Sequence, residues 1–112
     1  MAKLNYVELP VGDVAGQVAF YSKAFGWTFT EYGPEYAAHE ENETQLGLNG
    51  ATDQSTANIL PLVQVDDLEA ARDAVIGAGG TITQDIFSYP GGRRFHFTDP
   101  AGLELGVYVA ED

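Results

Sequence analysis

The 112 residues, 45% of them hydrophobic, suffice for one domain with a sizeable core, and the absence of cysteine removes disulfides, thiolate metal sites and cysteine nucleophiles together. Seventeen acidic against five basic residues give a net charge of −12, which would repel a phosphate backbone, so no nucleic acid is expected as a partner. No segment approaches the roughly 18 apolar residues of a membrane span and no basic-then-apolar leader opens the chain, so no membrane association and a cytoplasmic location are expected.

Leu4 to Val11 alternates and reads as a strand, with Asn5, Val7, Leu9 and Val11 on one face and Leu4, Tyr6, Glu8 and Pro10 on the other. Asp13 is placed to cap a helix whose apolar stripe carries Val14, Val18, Tyr21, Ala24 and Phe25, with Gly26 as its stop. Trp27 to Thr30 reads as the next strand and Gly33-Pro34 as a turn. Tyr36–His39 and Gln45–Asn49 are short strands around a polar hairpin region. Gly50 to Asn58, rich in Ala, Thr, Ser and Asp, reads as a linker.

The pattern then restarts. Ile59–Val65 is a strand, Asp66 or Asp67 caps a helix running through Ala78, and Gly79-Gly80 stops it. Thr81–Ile86 is a strand, followed by a Gly/Pro loop at Tyr89-Pro90-Gly91-Gly92. Strands Arg94–Thr98 and Leu103–Val109 flank a turn at Asp99-Pro100-Ala101-Gly102.

Sliding the sequence along itself by 54 positions lays Val11-Gly12-Asp13-Val14 on Val65-Asp66-Asp67-Leu68. With a few more residues of loop, Gln45-Leu46-Gly47-Leu48-Asn49 falls on Glu104-Leu105-Gly106-Val107-Tyr108. Such a period marks a duplicated unit, and each half is too small to bury its own apolar face. The expected fold is α+β: two βαβββ modules forming a cupped, incompletely closed eight-stranded sheet with helices outside. The single domain 1–112 then comprises module 1 at about 1–50, a linker at 51–58 and module 2 at about 59–112.

Strict alternation assigns the faces. Val7, Leu9, Leu46, Leu48, Val63, Val65, Phe95, Phe97, Leu105 and Val107 must face the helices. The opposite face carries Tyr6, Glu8, Gln45, Gly47, Asn49, Leu60, Leu62, Gln64, Arg94, His96, Glu104, Gly106 and Tyr108. So many polar groups suit the concave side of a curved sheet that holds water or a ligand, with the surface between the modules as its natural place. A plainly solvated sheet face is the blander alternative.

Three features together resemble one family: Phe20-Tyr21 followed by Phe25-Gly26-Trp27, the opening Val7–Asp13, and Asp99-Pro100-Ala101-Gly102 before a final strand. It is the vicinal oxygen chelate superfamily, which includes glyoxalase I, extradiol dioxygenases and the fosfomycin- and bleomycin-resistance proteins. The resemblance covers nearly the whole chain and implies a divalent metal held by His and Glu on the concave sheet. The positions matching those ligands are Tyr6 and Leu60 on the first strands and Gly47 and Gly106 on the last. Leucine and glycine side chains offer no donor, and a tyrosinate requires ionising a group with pKa about 10. No metal or other cofactor is therefore expected, and the paired glycines open room for a ligand or serve packing.

An off-register metal site from Glu8, His96 and Glu104 is the competing arrangement, with hydrogen-bonding wall residues as its plain alternative. The resemblance to bleomycin-resistance-type members implies metal-independent binding of a small molecule, and the aromatic faces and carboxylates of this sequence favour an aromatic or cationic one. Its expected ligand-binding residues are Tyr6, Glu8, Trp27, Gly47, Leu60, Leu62, Arg94, His96, Glu104, Gly106 and Tyr108, with Phe87 and Tyr89 also lining the cleft. The resemblance to glyoxalase implies instead a metal-dependent lyase, isomerase or dioxygenase with an unusual ligand set. An accessory module with a vestigial cavity is the third reading, and a homodimer is expected.

Overall fold

Two aspartate-started helices and eight alternating strands appear in the expected order. The computed structural model describes residues 2–51 and 56–111, so residues 52–55 of the expected linker lie outside the described residues. The order is β1 (Lys3–Pro10), α1 (Val14–Phe25), β2 (Thr30–Glu31), β3 (Tyr36–His39), β4 (Gln45–Asn49), β5 (Leu60–Gln64), α2 (Leu68–Gly77), β6 (Thr81–Tyr89), β7 (Gly92–Thr98) and β8 (Glu104–Ala110). This is βαβββ twice, an α+β fold whose eight strands form a mixed sheet that is not closed.

The chain divides into two compact units, Tyr6–Leu60 and Met1–Asn5 with Pro61–Asp112. The divisions fall inside β1 and at the head of β5. In the Tyr6–Leu60 unit the strand order is β2-β3-β4-β1, with β1 parallel to β4 and β3 antiparallel to both neighbours. In the other unit it is β5-β8-β7-β6, with β5 parallel to β8 and β7 antiparallel to β8 and β6. The β6–β7 ladder shifts register twice, between Ile82 and Gln84 and between Gln84 and Phe87.

The helix starts follow the repeat. Asp13 and Asp67 both sit in extended backbone and accept from the amide three residues on, Gly16 at 3.1 Å and Ala70 at 3.0 Å. Each cap satisfies an amide that the first helical turn leaves without a partner. The residue after each cap, Val14 or Leu68, is buried and anchors a core cluster. One cluster gathers Ala37, Leu48, Leu9, Val11, Val18, Tyr21, Phe29 and Leu46 around Val14. The other gathers Phe95, Val107, Val65, Ala71, Val75, Ile82, Ile86, Phe97 and Val109 around Leu68. The helix-facing assignment thus holds for Leu9, Leu46, Leu48, Val65, Phe95, Phe97 and Val107.

Element ends differ in places. The strand expected at Trp27–Thr30 shrinks to Thr30–Glu31. The Trp27 ring instead stacks on His39, and the Thr28 carbonyl bonds the His39 ring rather than a strand ladder. At the other end, β6 runs on to Tyr89, which pairs with Gly92, so the expected loop closes to a tight turn with Gly91 at φ 111°. Among the described residues no helix is long and apolar enough to cross a membrane.

Candidate functional site

In the Tyr6–Leu60 unit the polar face of the sheet is built around Gly47. The register sets Glu8 beside Gly47 in the parallel β1–β4 pair, and Ala38 opposite Gly47 in the antiparallel β3–β4 pair. Tyr36, opposite Asn49, shares that face because it lies two residues from Ala38. Small side chains at 38 and 47 leave space for the two phenols. A Cβ added at Gly47 would run into the hydroxyls of Tyr36 and Tyr6. The room expected at Gly47 is therefore taken by tyrosines of the same unit.

Those phenols form a directed chain. The Tyr36 hydroxyl donates to Glu8 Oε1 at 2.9 Å and lies 2.6 Å from the Tyr6 hydroxyl. Tyr36 has one hydroxyl hydrogen, so the Tyr6 hydroxyl donates to Tyr36. Asn49 Nδ2 reaches Glu8 Oε2 at 3.4 Å, and Asn49 Oδ1 accepts from the Ala51 amide at 3.0 Å. Glu8 is only 2% exposed, a carboxylate held inside by side-chain donors. Burial first, then the charge of Glu8, pushes the Tyr36 phenol far above its ordinary 10.0, so it stays a donor.

The other unit carries different chemistry at the corresponding strand positions. His96 pairs with Gly106 as Ala38 pairs with Gly47, and Arg94 pairs with Tyr108 as Tyr36 pairs with Asn49. Arg94 is largely buried, its guanidinium carbon 5.3 Å from the Phe87 ring centre and 5.6 Å from that of Tyr89. Such distances are within cation–π reach. His96, at 1% exposure, lies edge-on to Phe87, with Nδ1 3.5 Å from Glu104 Oε2. The same Glu104 oxygen accepts from the Thr83 hydroxyl at 2.9 Å. Tyr108 donates to Asn5 Oδ1 at 2.7 Å, and Asn5 donates to Gln64 Oε1 at 2.8 Å. Leu60 and Leu62 are buried and belong to neither helix-facing cluster, as alternation requires.

Two groups form among the expected residues. Tyr6, Glu8 and Gly47 meet in one unit, while Arg94, His96 and Glu104 meet in the other on β7 and β8. Trp27 joins neither group, because its ring lies against His39 and lines a hollow with the helix-facing Val7 and Leu46. Tyr36 and Asn49 were not among the expected site residues. Alternation in β3 puts Tyr36 and Ala38 on one face, but only the register shows that Ala38 lies across from Gly47.

The metal ligand set implied by family likeness does not fit these side chains. Gly47 and Leu60 have no donor atom, the Tyr6 and Tyr36 phenols are committed to each other and to Glu8, and the space at position 47 is filled. Among the described residues no group of three or more His, Cys, Asp or Glu is placed to hold a metal ion.

Duplicated βαβββ units with glycines at matching places on their last strands define a class of protein. The sequence matches the Glyoxalase/Bleomycin resistance protein/Dioxygenase superfamily over residues 3–107, and the chain belongs to that family. It is 26% identical over 117 residues to proteins named putative glyoxylase CFP32 from Mycobacterium bovis and Mycobacterium tuberculosis. That similarity covers 95% of this chain and 45% of theirs, so the chain spans less than half the length of those relatives. Methylmalonyl-CoA epimerase from Mycobacterium tuberculosis shares the fold, with a TM-score of 0.78 at 14% identity, covering 97% of this chain and 88% of that one. So does a Mn(II)-bound glyoxalase from Novosphingobium aromaticivorans, with a TM-score of 0.70 at 21% identity, covering 97% of this chain and 40% of that one.

Proposed function

We propose that this chain binds a small aromatic or cationic molecule without a metal, on the polar sheet face that carries Glu8. The observation that carries the reading is the buried Glu8 carboxylate, aimed by Tyr36 and Asn49 in a protein of net charge −12. A preorganised carboxylate beside phenol rings offers a cation both a counter-charge and a π face. The Mn(II) of the Novosphingobium glyoxalase is not carried over, because Gly47 and Leu60 supply nothing to hold it. A homodimer and a cytoplasmic location belong to the same proposal.

Thermal shift against a panel of aromatic ammonium compounds and their carboxylate analogues tests it, with Glu8→Gln run in parallel. The reading expects stabilisation by the ammonium compounds that falls at least several-fold in Glu8→Gln. Equal shifts in both proteins, or shifts from the carboxylates alone, would count against it.

A further inference from the structure

On the helix-facing side of the Tyr6–Leu60 unit, α1 stops at Gly26 before the sheet beneath it is fully covered. The uncovered part is a hollow of about 470 Å³ floored by Val7 and Leu46 and walled by Trp27 and His39, with Asn42 and Thr44 at its rim. Alternation places Val7 and Leu46 on the opposite face from Tyr6, Glu8 and Gly47, so this hollow is distinct from the Glu8 cluster.

Its wall is fixed. The His39 and Trp27 rings stack at 4.7 Å and 11°. The His39 Nδ1–H donates to the Thr28 carbonyl at 2.9 Å, and Nε2 accepts from Asn42 Nδ2 at 3.0 Å. With Nδ1 turned to the Thr28 carbonyl and Nε2 to Asn42, the imidazole ring is held in one orientation against the indole. The charge nearby comes from the turn that carries Asn42, where Glu40, Glu41 and Glu43 are all exposed. Tyr32 holds Glu40 by donating to Oε1 at 2.6 Å, while Glu41 and Glu43 flank Asn42.

We infer that this hollow is a second ligand site, taking a flat apolar ring that bears an ammonium group. The ring lies on Val7 and Leu46 against the edge of the Trp27 indole, whose faces meet His39, Tyr21 and Phe25, and the ammonium group points outward toward Glu41 and Glu43. An apolar floor beside a turn that carries exposed glutamates fits that chemistry and disfavours an anion.

Trp27 is the chain's only tryptophan, so its indole N–H gives one NMR resonance that reports on this site alone. Titrating the full chain with phenethylammonium is expected to move that resonance saturably, with 3-phenylpropionate at least 10-fold weaker. Glu41→Gln/Glu43→Gln should weaken phenethylammonium several-fold. Asp73→Asn/Glu111→Gln, which removes the same charge elsewhere, should not. Glu8→Gln should leave the titration unchanged, which separates failure here from failure of the Glu8 reading. Val7→Phe, which fills the hollow with apolar volume, should abolish the shift while circular dichroism stays that of the parent. An unsaturable or absent shift, equal response to the carboxylate, or an undiminished titration in Val7→Phe would overturn the inference.

Discussion

Tyr36 holds Glu8 by a 2.9 Å hydrogen bond across 28 residues of sequence, linking the third strand of the Tyr6–Leu60 unit to its first. Removing the hydroxyl leaves a buried carboxylate short of a donor. Tyr36→Phe is therefore expected to cost about 1–3 kcal/mol at neutral pH, read from urea unfolding.

The same residue sets an alkaline limit. Its phenol is pushed far above 10.0 in the folded chain, first by burial and then by Glu8. Above pH 10 the unfolded chain releases this proton and the folded chain keeps it, so stability falls as pH rises, by up to about 1.4 kcal/mol per pH unit for one group. Below the unfolded value the contribution is fully present. Tyr36→Phe should show a shallower decline above pH 10 than the parent, by one proton's worth, and an identical slope would refute the assignment.

Gly47→Ala should destabilise the chain by about 1–3 kcal/mol, since its methyl meets the two phenol oxygens. In a Tyr6→Phe/Tyr36→Phe background the same substitution should cost less. A penalty of equal size in both backgrounds would mean the hydroxyls are not what fills position 47.

Neighbouring arginines should behave differently. Arg93 makes half-exposed ion pairs with Glu69 at 2.7 Å and Glu111 at 3.1 Å, so Arg93→Ala should change stability little, and less again in high salt. Arg94, buried against Phe87 and Tyr89, should cost about 2 kcal/mol or more on truncation. Denaturation of the two variants at low and high salt checks both.

Two solution measurements bear on the proposed function. Elemental analysis of the purified chain should find no stoichiometric Zn, Ni, Mn or Fe, and one metal per chain would reverse the metal-free reading. Light scattering should give a mass near twice 12.0 kDa, whereas a single-chain mass at micromolar concentration would remove the proposed homodimer.

What could be read from the sequence was whatever repeats. Asp13 and Asp67 announce both helix starts, Gly26 and Gly79 both stops, and alternation in β1, β4, β7 and β8 sorts the two faces without coordinates. What could not be read depended on contacts between elements. Trp27 looks like a strand residue until His39, twelve positions on, offers a ring to stack against. Gly47 looks like an opening until the register brings Tyr36 diagonally across it. Side-chain reach decides both cases, and period-two patterning is blind to reach.

The open sheet has ends that resist company. Its outer strand β2 is two residues long, and β6 breaks register with its neighbour twice along its length. Neither offers the long, evenly spaced row of amides and carbonyls on which a stray strand could template. Edges so short or so irregular give fibril growth little to start from.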